Sequence, residues 1–194
     1  MSGFSMSLDL TAFTQVIEQD KAAIAAASRP AAQAGAEVLY QAVLQNVRGL
    51  GRKTGRLAAS IYQAYSPENS KGGRHQYNVS WRTGRMLDKN GKPIASGLPT
   101  APHGHLVEWG YIQKYLTYQA ADGRIRPVVK PSMRGKPRPK NAAEKDAYYV
   151  PRPGGPVHIP GKAFVRRAVD QFPKAQQAMQ DELFERLKAA GVIK

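Results

Sequence analysis

Two histidines and a glutamate lie close together near the middle of the chain, at His103, His105 and Glu108. On a β-strand the two imidazoles would point to the same side, and the carboxylate could complete a three-ligand zinc site. The local sequence instead predicts a turn or short helix, in which side chains two residues apart diverge. We therefore expect Glu108 to accept hydrogen bonds at a packed junction. A metal-dependent hydrolase built on these three residues is the alternative.

Other catalytic patterns are missing from the sequence. The chain has no cysteine and no Gly-x-Ser-x-Gly nucleophile turn. The segment 49–55 is rich in glycine, but it follows a predicted helix and lacks the Gly-Lys-Ser/Thr ending of a phosphate-binding loop. We expect a protein that is not an enzyme and that carries no metal and no cofactor.

Positive charge is concentrated in the middle of the chain. The 194 residues include 29 Lys and Arg against 14 Asp and Glu, a net charge of +15. Between Arg48 and Lys140 there are 18 basic and four acidic residues, so the two ends are nearly neutral. This distribution indicates a surface that meets a polyanion such as nucleic acid. A free nucleic-acid-binding protein without sequence specificity is one interpretation, and contact with an acidic protein is another.

The densest basic stretch could contact phosphate groups without reading base sequence. Four tyrosines flank it, and their rings could stack on bases or anchor the stretch on a neighbouring subunit. We favour subunit docking. The basic residues are Arg124, Arg126, Lys130, Arg134, Lys136, Arg138 and Lys140, and the tyrosines are Tyr115, Tyr118, Tyr148 and Tyr149.

Membrane and export signals are not evident in the sequence. No run of about 18 apolar residues occurs, so we expect no membrane span. The first ten residues lack the basic and apolar regions of a signal peptide. We expect a protein made in a cytoplasm.

Helical periodicity dominates the first quarter of the chain. Apolar residues recur at spacings of three, four and seven over about 8–47, and alanine fills much of the rest. Pro30 interrupts the pattern, which predicts either two helices or one kinked helix. Gly49 and Gly51 should end it.

A short helical turn and a hairpin are predicted next. Thr54 is placed to cap the turn. The segment 61–65 has the composition of a strand, and 77–81 alternates apolar with polar residues, as half-buried strands do. We expect these two strands to pair. Further on, Gly110 should stop another short helical turn.

The second half of the chain combines a hairpin, a basic arm and a last helix. Asp122 and Gly123 should turn a hairpin between 115–118 and 125–130. Pro131–Lys140 contains three prolines and predicts an extended, mobile arm. After a loop rich in Pro and Gly at 151–161, a helical pattern begins at Phe164, and Pro173 should kink or split it.

These elements predict an α+β fold in a single domain over residues 1–194. A small antiparallel sheet would pack against a long N-terminal helical segment and a C-terminal helix. An extended basic hairpin and arm would complete the domain.

Three stretches, in order, resemble a known family. They are Thr54-Gly-x-Leu-x-x-Ser-Ile61, His105-Leu-Val-Glu-Trp-Gly110 and Pro160-Gly-Lys-Ala-Phe-Val-Arg-Arg-Ala168. They are similar to motifs of the gene-product-ten family of lambdoid siphophages, minor tail components that act in head–tail joining and tail completion. Tyr111 and Arg167 depart from the family pattern, which has Thr and Pro there. The matching motif residues are Thr54, Gly55, Leu57, Ser60, Glu108, Trp109, Gly110 and Phe164.

The resemblance implies a structural virion protein of the phage neck or tail, assembled in the host cytoplasm. It implies a ring, of six subunits in the family, around the channel through which DNA passes. Partners would be other copies of the chain, a head-closure or connector protein, and a tail terminator or tail tube protein. Passing DNA would be contacted without sequence specificity, and a membrane not at all.

The resemblance also bears on two parts of the chain. The segment 111–160 is longer than the family pattern, which implies an inserted basic hairpin and arm. Trp109 and Phe164 would be core residues that join the central turn to the last helix. We therefore expect Trp109→Ala to cost about 3–5 kcal/mol of unfolding free energy.

Overall fold

The architecture comes from a computed structural model, which describes residues 11–51, 55–84 and 98–193. The chain forms two compact units. The first, here called the helical unit, consists of Met1–Gly104 and Phe164–Lys194. The second, here called the β unit, is His105–Ala163 and contains the whole of the predicted insertion, 111–160. The single domain over 1–194 stays a prediction.

Helices, short strands and a last helix follow one another as predicted. The strands form three two-stranded antiparallel sheets, β1–β2, β3–β6 and β4–β5. This confirms the α+β class. None of the described helices is long and apolar enough to cross a membrane. The elements are α1 (Thr11–Gly49), α2 (Arg56–Ser60), β1 (Ile61–Tyr65), β2 (Tyr77–Trp81), α3 (Gly104–Trp109), β3 (Gly110–Gln113), β4 (Thr117–Gln119), β5 (Ile125–Pro127), α4 (Ala142–Tyr148), β6 (Val157–Pro160) and α5 (Phe172–Ala189).

One long helix, α1, begins the helical unit. It runs for 39 residues with Pro30 in its interior, so of the two predicted forms a single helix is observed. Its buried side includes Ala31 and Val43, small and branched side chains that allow close packing. The helix ends at Gly49, and Gly51 follows with a φ of 82°, as the two glycines predicted.

A short helix and a hairpin come next. The N-cap of α2 is Gly55, whose φ of 70° lies in the left-handed region. Thr54, which was predicted to cap this turn, lies outside the described residues. Strands β1 and β2 pair over their full length, with Ile61 opposite Trp81, as predicted.

Side chains fix this hairpin against α1. The Arg29 guanidinium lies 4.4 Å from the centroid of the Tyr65 ring. His75 Nε2 lies 2.9 Å from Ser28 Oγ, within hydrogen-bond distance. The sheet therefore packs on the N-terminal helix, as predicted.

The C-terminal helix packs antiparallel to α1. Asn46 Nδ2 donates a hydrogen bond of 2.9 Å to Phe164 O, before α5 begins. Gly35, eleven residues earlier in α1, lies against Ala175 and Met179 of α5. A Cβ on Gly35 would collide with the Met179 side chain, so the glycine allows the two helices to approach closely.

The predicted split at Pro173 is confirmed. A 3₁₀ turn at Arg166–Gln171 precedes α5, and Pro173 stands in the first turn of the helix, where its missing N–H has no cost.

Trp81 and Phe164 form the aromatic centre of the helical unit. Phe164 is fully buried, which confirms it as a core residue. Its ring meets that of Trp81 edge to face, with the centroids 5.4 Å apart. Gly104 lies so close to the Trp81 indole that a Cβ there would collide with it. A glycine is therefore required at the start of α3.

The β unit begins with the pair β3–β6. Gly110 has a φ of 83° and ends α3, as predicted. The chain then pairs as β3 with β6, from Gly110 opposite Pro160 to Gln113 opposite Val157. The segment 157–160 had been predicted as loop. Between its Pro and Gly neighbours lies a short strand, and its pairing depends on partners 44 to 50 residues away in the chain.

The basic hairpin forms where it was predicted. β4 and β5 pair antiparallel with Thr117 opposite Pro127, and Gly123 turns the chain with a φ of 73°.

The basic arm after the hairpin is anchored at both ends. Lys130 N donates to Tyr148 O at 3.0 Å, and Val150 N donates to Val128 O at 2.9 Å. Within the loop so closed, Tyr148 Oη donates to Lys136 O at 3.1 Å. Residues 131–140 therefore form a tied loop that begins with a 3₁₀ turn at Pro131–Met133, so the segment is not extended throughout as predicted, and its mobility stays a prediction.

Candidate functional site

The β unit has no apolar core of its own. All of its residues are described, and Glu108 is the one that is buried. Two-stranded sheets are marginally stable without another surface to pack on. The unit is therefore built mainly of surface. Its exposed large apolar residues are Leu106, Trp109, Tyr111, Ile112, Leu116, Tyr118, Ile125 and Val157.

The predicted basic residues all lie in this unit. The β unit holds eleven Lys and Arg against four Asp and Glu. Six of the seven predicted side chains are exposed, and Lys130 is half-buried, with its Nζ donating to Asp146 O at 2.9 Å. The structure therefore gathers the basic stretch on one unit and leaves it accessible.

The carboxylates of the β unit are engaged locally. Asp122 Oδ2 lies 2.6 Å from Arg126 and 3.6 Å from Arg124. The Arg124 backbone N–H, followed by the Arg126 side chain, lowers the pKa of Asp122. Asn141 caps α4, since its Oδ1 accepts from Glu144 N, and the Glu144 carboxylate in turn accepts from Lys140 N.

Three of the four flanking tyrosines make contacts within the β unit. Tyr115 Oη donates to Asp146 Oδ1 at 2.6 Å, and this hydrogen bond is the main reason why the pKa of Tyr115 is raised to about 12. The Tyr149 ring lies 5.3 Å from that of Tyr115 and 5.0 Å from that of Tyr148. Tyr118 is separate from this cluster and is 50 % exposed. Docking of the four tyrosines on a neighbour stays a prediction.

Glu108 and Trp109 are neighbours in the central turn but differ in burial. Glu108 is 1 % exposed, which agrees with a packed junction, and its backbone O accepts from Ala163 N. Trp109 is 61 % exposed, so its prediction as a core residue is wrong. It is the last residue of α3, and Gly110 turns the chain immediately after it. The aromatic partner of Phe164 is Trp81, from β2, instead.

The backbone at Gly110 lies very close to the backbone around Gly161. A Cβ on Gly110 would collide with Ile159 O, and a Cβ on Gly161 would collide with Glu108 O. Lys162 N also donates to Val107 O at 2.7 Å. The motif residues at 108–110 and the start of the third motif therefore meet through their backbones.

The first motif has a structural role in the helical unit. Ser60 is fully buried and its Oγ donates to Leu57 O at 2.7 Å. Ser60 O accepts from Arg82 N at 3.0 Å, so the residue links α2 to the end of β2.

His103, His105 and Glu108, which were considered as metal ligands, do not cluster into a metal site. Across 11–51, 55–84 and 98–193, no three His, Asp or Glu side chains come together to hold a metal ion.

A cleft in the β unit was not predicted from the sequence. It has a volume of about 360 Å³ and is formed by β3, the following residues and α4. One wall of the cleft is α4, whose start is marked in the sequence by the capping-box pattern Asn141-Ala-Ala-Glu144. The cleft lining includes Tyr111, Ile112, Lys114, Tyr115, Ala142 and Lys145.

Comparison with known proteins identifies the family. Neither a curated protein nor a solved structure matches the chain. A family model described as bacteriophage HK97 gp10-like, a tail component, matches residues 11–110, just over half of the chain. The match covers the first two motifs and stops where the predicted insertion begins. With the buried Ser60, the left-handed Gly110 and the α+β fold in place, the chain belongs to the HK97-gp10-like family of bacteriophage tail components.

Proposed function

We propose that this chain forms a ring at the head–tail connection of a phage and completes the tail around the channel through which DNA passes. The ring would consist of copies of this chain, six by family resemblance. Its neighbours would be a head-closure or connector protein on one side and a tail terminator or tail tube protein on the other. The role is structural and needs no catalysis and no cofactor.

The observation that carries the proposal is the surface of the β unit. Eight large apolar side chains are exposed there, and no apolar residue of the unit is buried. Such a unit gains stability when another surface covers it. An assembly of many subunits supplies that surface, and membership of a tail-component family supports the phage tail as its setting.

The charge of the β unit supports contact with passing DNA. The unit has eleven basic residues and four carboxylates. Of the four, Asp122 is paired with arginine and Glu108 is buried. The remaining charge forms a diffuse positive surface. Contacts of lysine and arginine with phosphate are independent of sequence and weaken with salt. DNA could therefore slide past such a surface without being held at one site.

Deletion of the gene in a phage tests the proposal. We expect particles in which filled heads and tails fail to join, and normal joining when the wild-type protein is supplied. Particles that lack the protein but still join heads to tails normally would overturn the proposal.

Light scattering on the purified protein tests whether it forms a ring. A monomer that binds DNA with a steep salt dependence would favour a free nucleic-acid-binding protein instead.

A further inference from the structure

Phe184 is an exposed aromatic side chain on the outer face of α5. It is 54 % exposed and follows the buried Ala175 by nine residues. Nine residues at about 100° each make two and a half turns, so Phe184 lies on the side of α5 opposite Ala175, which lies against Gly35 of α1. An aromatic ring held in solvent on a rigid helix is a typical anchor of a protein–protein interface.

Two carboxylates border this ring. Residues 180–188 carry three acidic and two basic side chains, a net charge of −1, and Lys188 follows Phe184 by one turn. Glu182 is paired with Arg186 at 2.7 Å. Asp181 accepts a hydrogen bond from Gln177 at 2.8 Å, and neither Asp181 nor Glu185 has an ion-pair partner within the described residues. Phe184 is thus an apolar anchor, and with Glu182 and Arg186 paired, Asp181, Glu185 and Lys188 leave its border with a net negative charge.

The cleft of the β unit has the complementary character. Its volume of about 360 Å³ lies near the lower end of the range of about 300–1,000 Å³ for clefts that enclose an organic group. Ile112 lines it and is 62 % exposed. Lys114 and Lys145 also line it, and neither forms an ion pair with a described residue. The cleft is thus an apolar hollow with a basic border.

We propose that Phe184 of one copy inserts into this cleft on the next copy, with Asp181 and Glu185 facing Lys114 and Lys145. A second copy is the occupant because every chain carries both surfaces and their borders have opposite charge. Two basic β units facing each other would repel. The contact joins unlike surfaces, so repeated contacts propagate and can close a ring. This inference rests on the proposed ring and names its interface.

The absence of native cysteine allows a direct crosslinking test. Full-length Phe184→Cys and full-length Ile112→Cys are mixed and treated with a short bismaleimide, which avoids the strict geometry of a disulfide. We expect a crosslinked dimer in the mixture and none from either variant alone. Phe172→Cys mixed with Ile112→Cys is the matched control, since Phe172 is also 54 % exposed on α5. Equal crosslinking in that control would overturn the proposal.

Charge exchange provides an independent measurement. Lys145→Glu and Glu185→Lys should each raise the dissociation constant of self-association about tenfold, and the double variant should largely recover. Phe184→Ala should raise it about thirtyfold, with Phe172→Ala near the wild type. If the wild-type protein assembles and these variants assemble with the same dissociation constant, the proposed contact is wrong but the ring is not. Wild-type protein that stays monomeric at every concentration would overturn the ring itself.

Discussion

The helical unit and the β unit differ in where they place their apolar side chains. The helical unit buries Phe164, Val43 and Ile61 between helices and a hairpin. The β unit buries no apolar side chain and exposes Ile112 and Trp109 by more than half. Because burial of apolar surface is the main source of folding free energy, the first unit holds the fold. The second is suited to contacts with other molecules.

The two units also differ in the forces that fix their local geometry. In the helical unit, Trp81 meets Phe164 through packed aromatic rings. In the β unit, backbone contacts at Gly110 and Gly161 and the hydrogen bond from Tyr115 to Asp146 fix the chain. Substitutions should therefore affect global stability in one unit and local order in the other.

Phe164→Ala should have the largest effect. It removes a fully buried ring and leaves a cavity beside Trp81, so we expect a loss of about 3–5 kcal/mol of unfolding free energy. Urea denaturation followed by Trp fluorescence measures it. Phe184→Ala is the control, since it removes an equal side chain from an exposed position and should cost about 0.5 kcal/mol or less. Similar losses for both would remove the distinction between core and contact surface.

Gly110→Ala should disturb the β unit by an intermediate amount. The substitution forces a side chain into a left-handed conformation and against Ile159 O, at a cost of about 1–3 kcal/mol. We expect faster amide hydrogen exchange in β3 and β6, with protection in α1 and α5 unchanged. Gly123→Ala is a control with the same sign of φ but open space around its Cβ, and it should spare β6. Loss of α1 protection in Gly110→Ala would show that the two units unfold together.

The elements that the sequence predicted well depend on local signals. Pro173 and Gly51 stop or start helices through their own backbone geometry, and the alternation at 77–81 reports a half-buried strand. Gly123 likewise turned the hairpin where it was expected. These features follow from a few neighbouring residues.

The features that were missed depend on residues distant in the chain. β6 is a strand because 157–160 meets β3, and nothing within it marks that partner. Trp109 and Trp81 are both flanked by residues of mixed polarity, so composition alone cannot decide which of them packs on Phe164. The choice follows from the close approach of Gly104 to Trp81. The tied loop likewise depends on pairing between Lys130 and Tyr148.

A pH-dependent effect should be confined to the β unit. The pKa of Tyr115 is raised from 10.0 to about 12, mainly by its hydrogen bond to Asp146. A raised folded-state pKa means that the stabilisation is fully present below pH 10 and is lost as the pH rises towards about 12. An ultraviolet absorbance titration should show a late tyrosinate step that Tyr115→Phe removes. If the step persists in that variant, another tyrosine is responsible and the hydrogen bond has no such role.

Trp109→Ala should have only a small effect on the isolated protein, and it tests the comparison between the two units from the opposite side. Trp109 is 61 % exposed, so we expect a loss of about 1 kcal/mol or less, against about 3–5 kcal/mol for a buried ring. Urea denaturation of Trp109→Ala beside Trp81→Ala measures the contrast, because Trp81 contacts Phe164 in the core. A loss for Trp109→Ala that equals the loss for Trp81→Ala would mean that Trp109 is covered in the folded monomer. In that case the apolar surface of the β unit would no longer call for a partner.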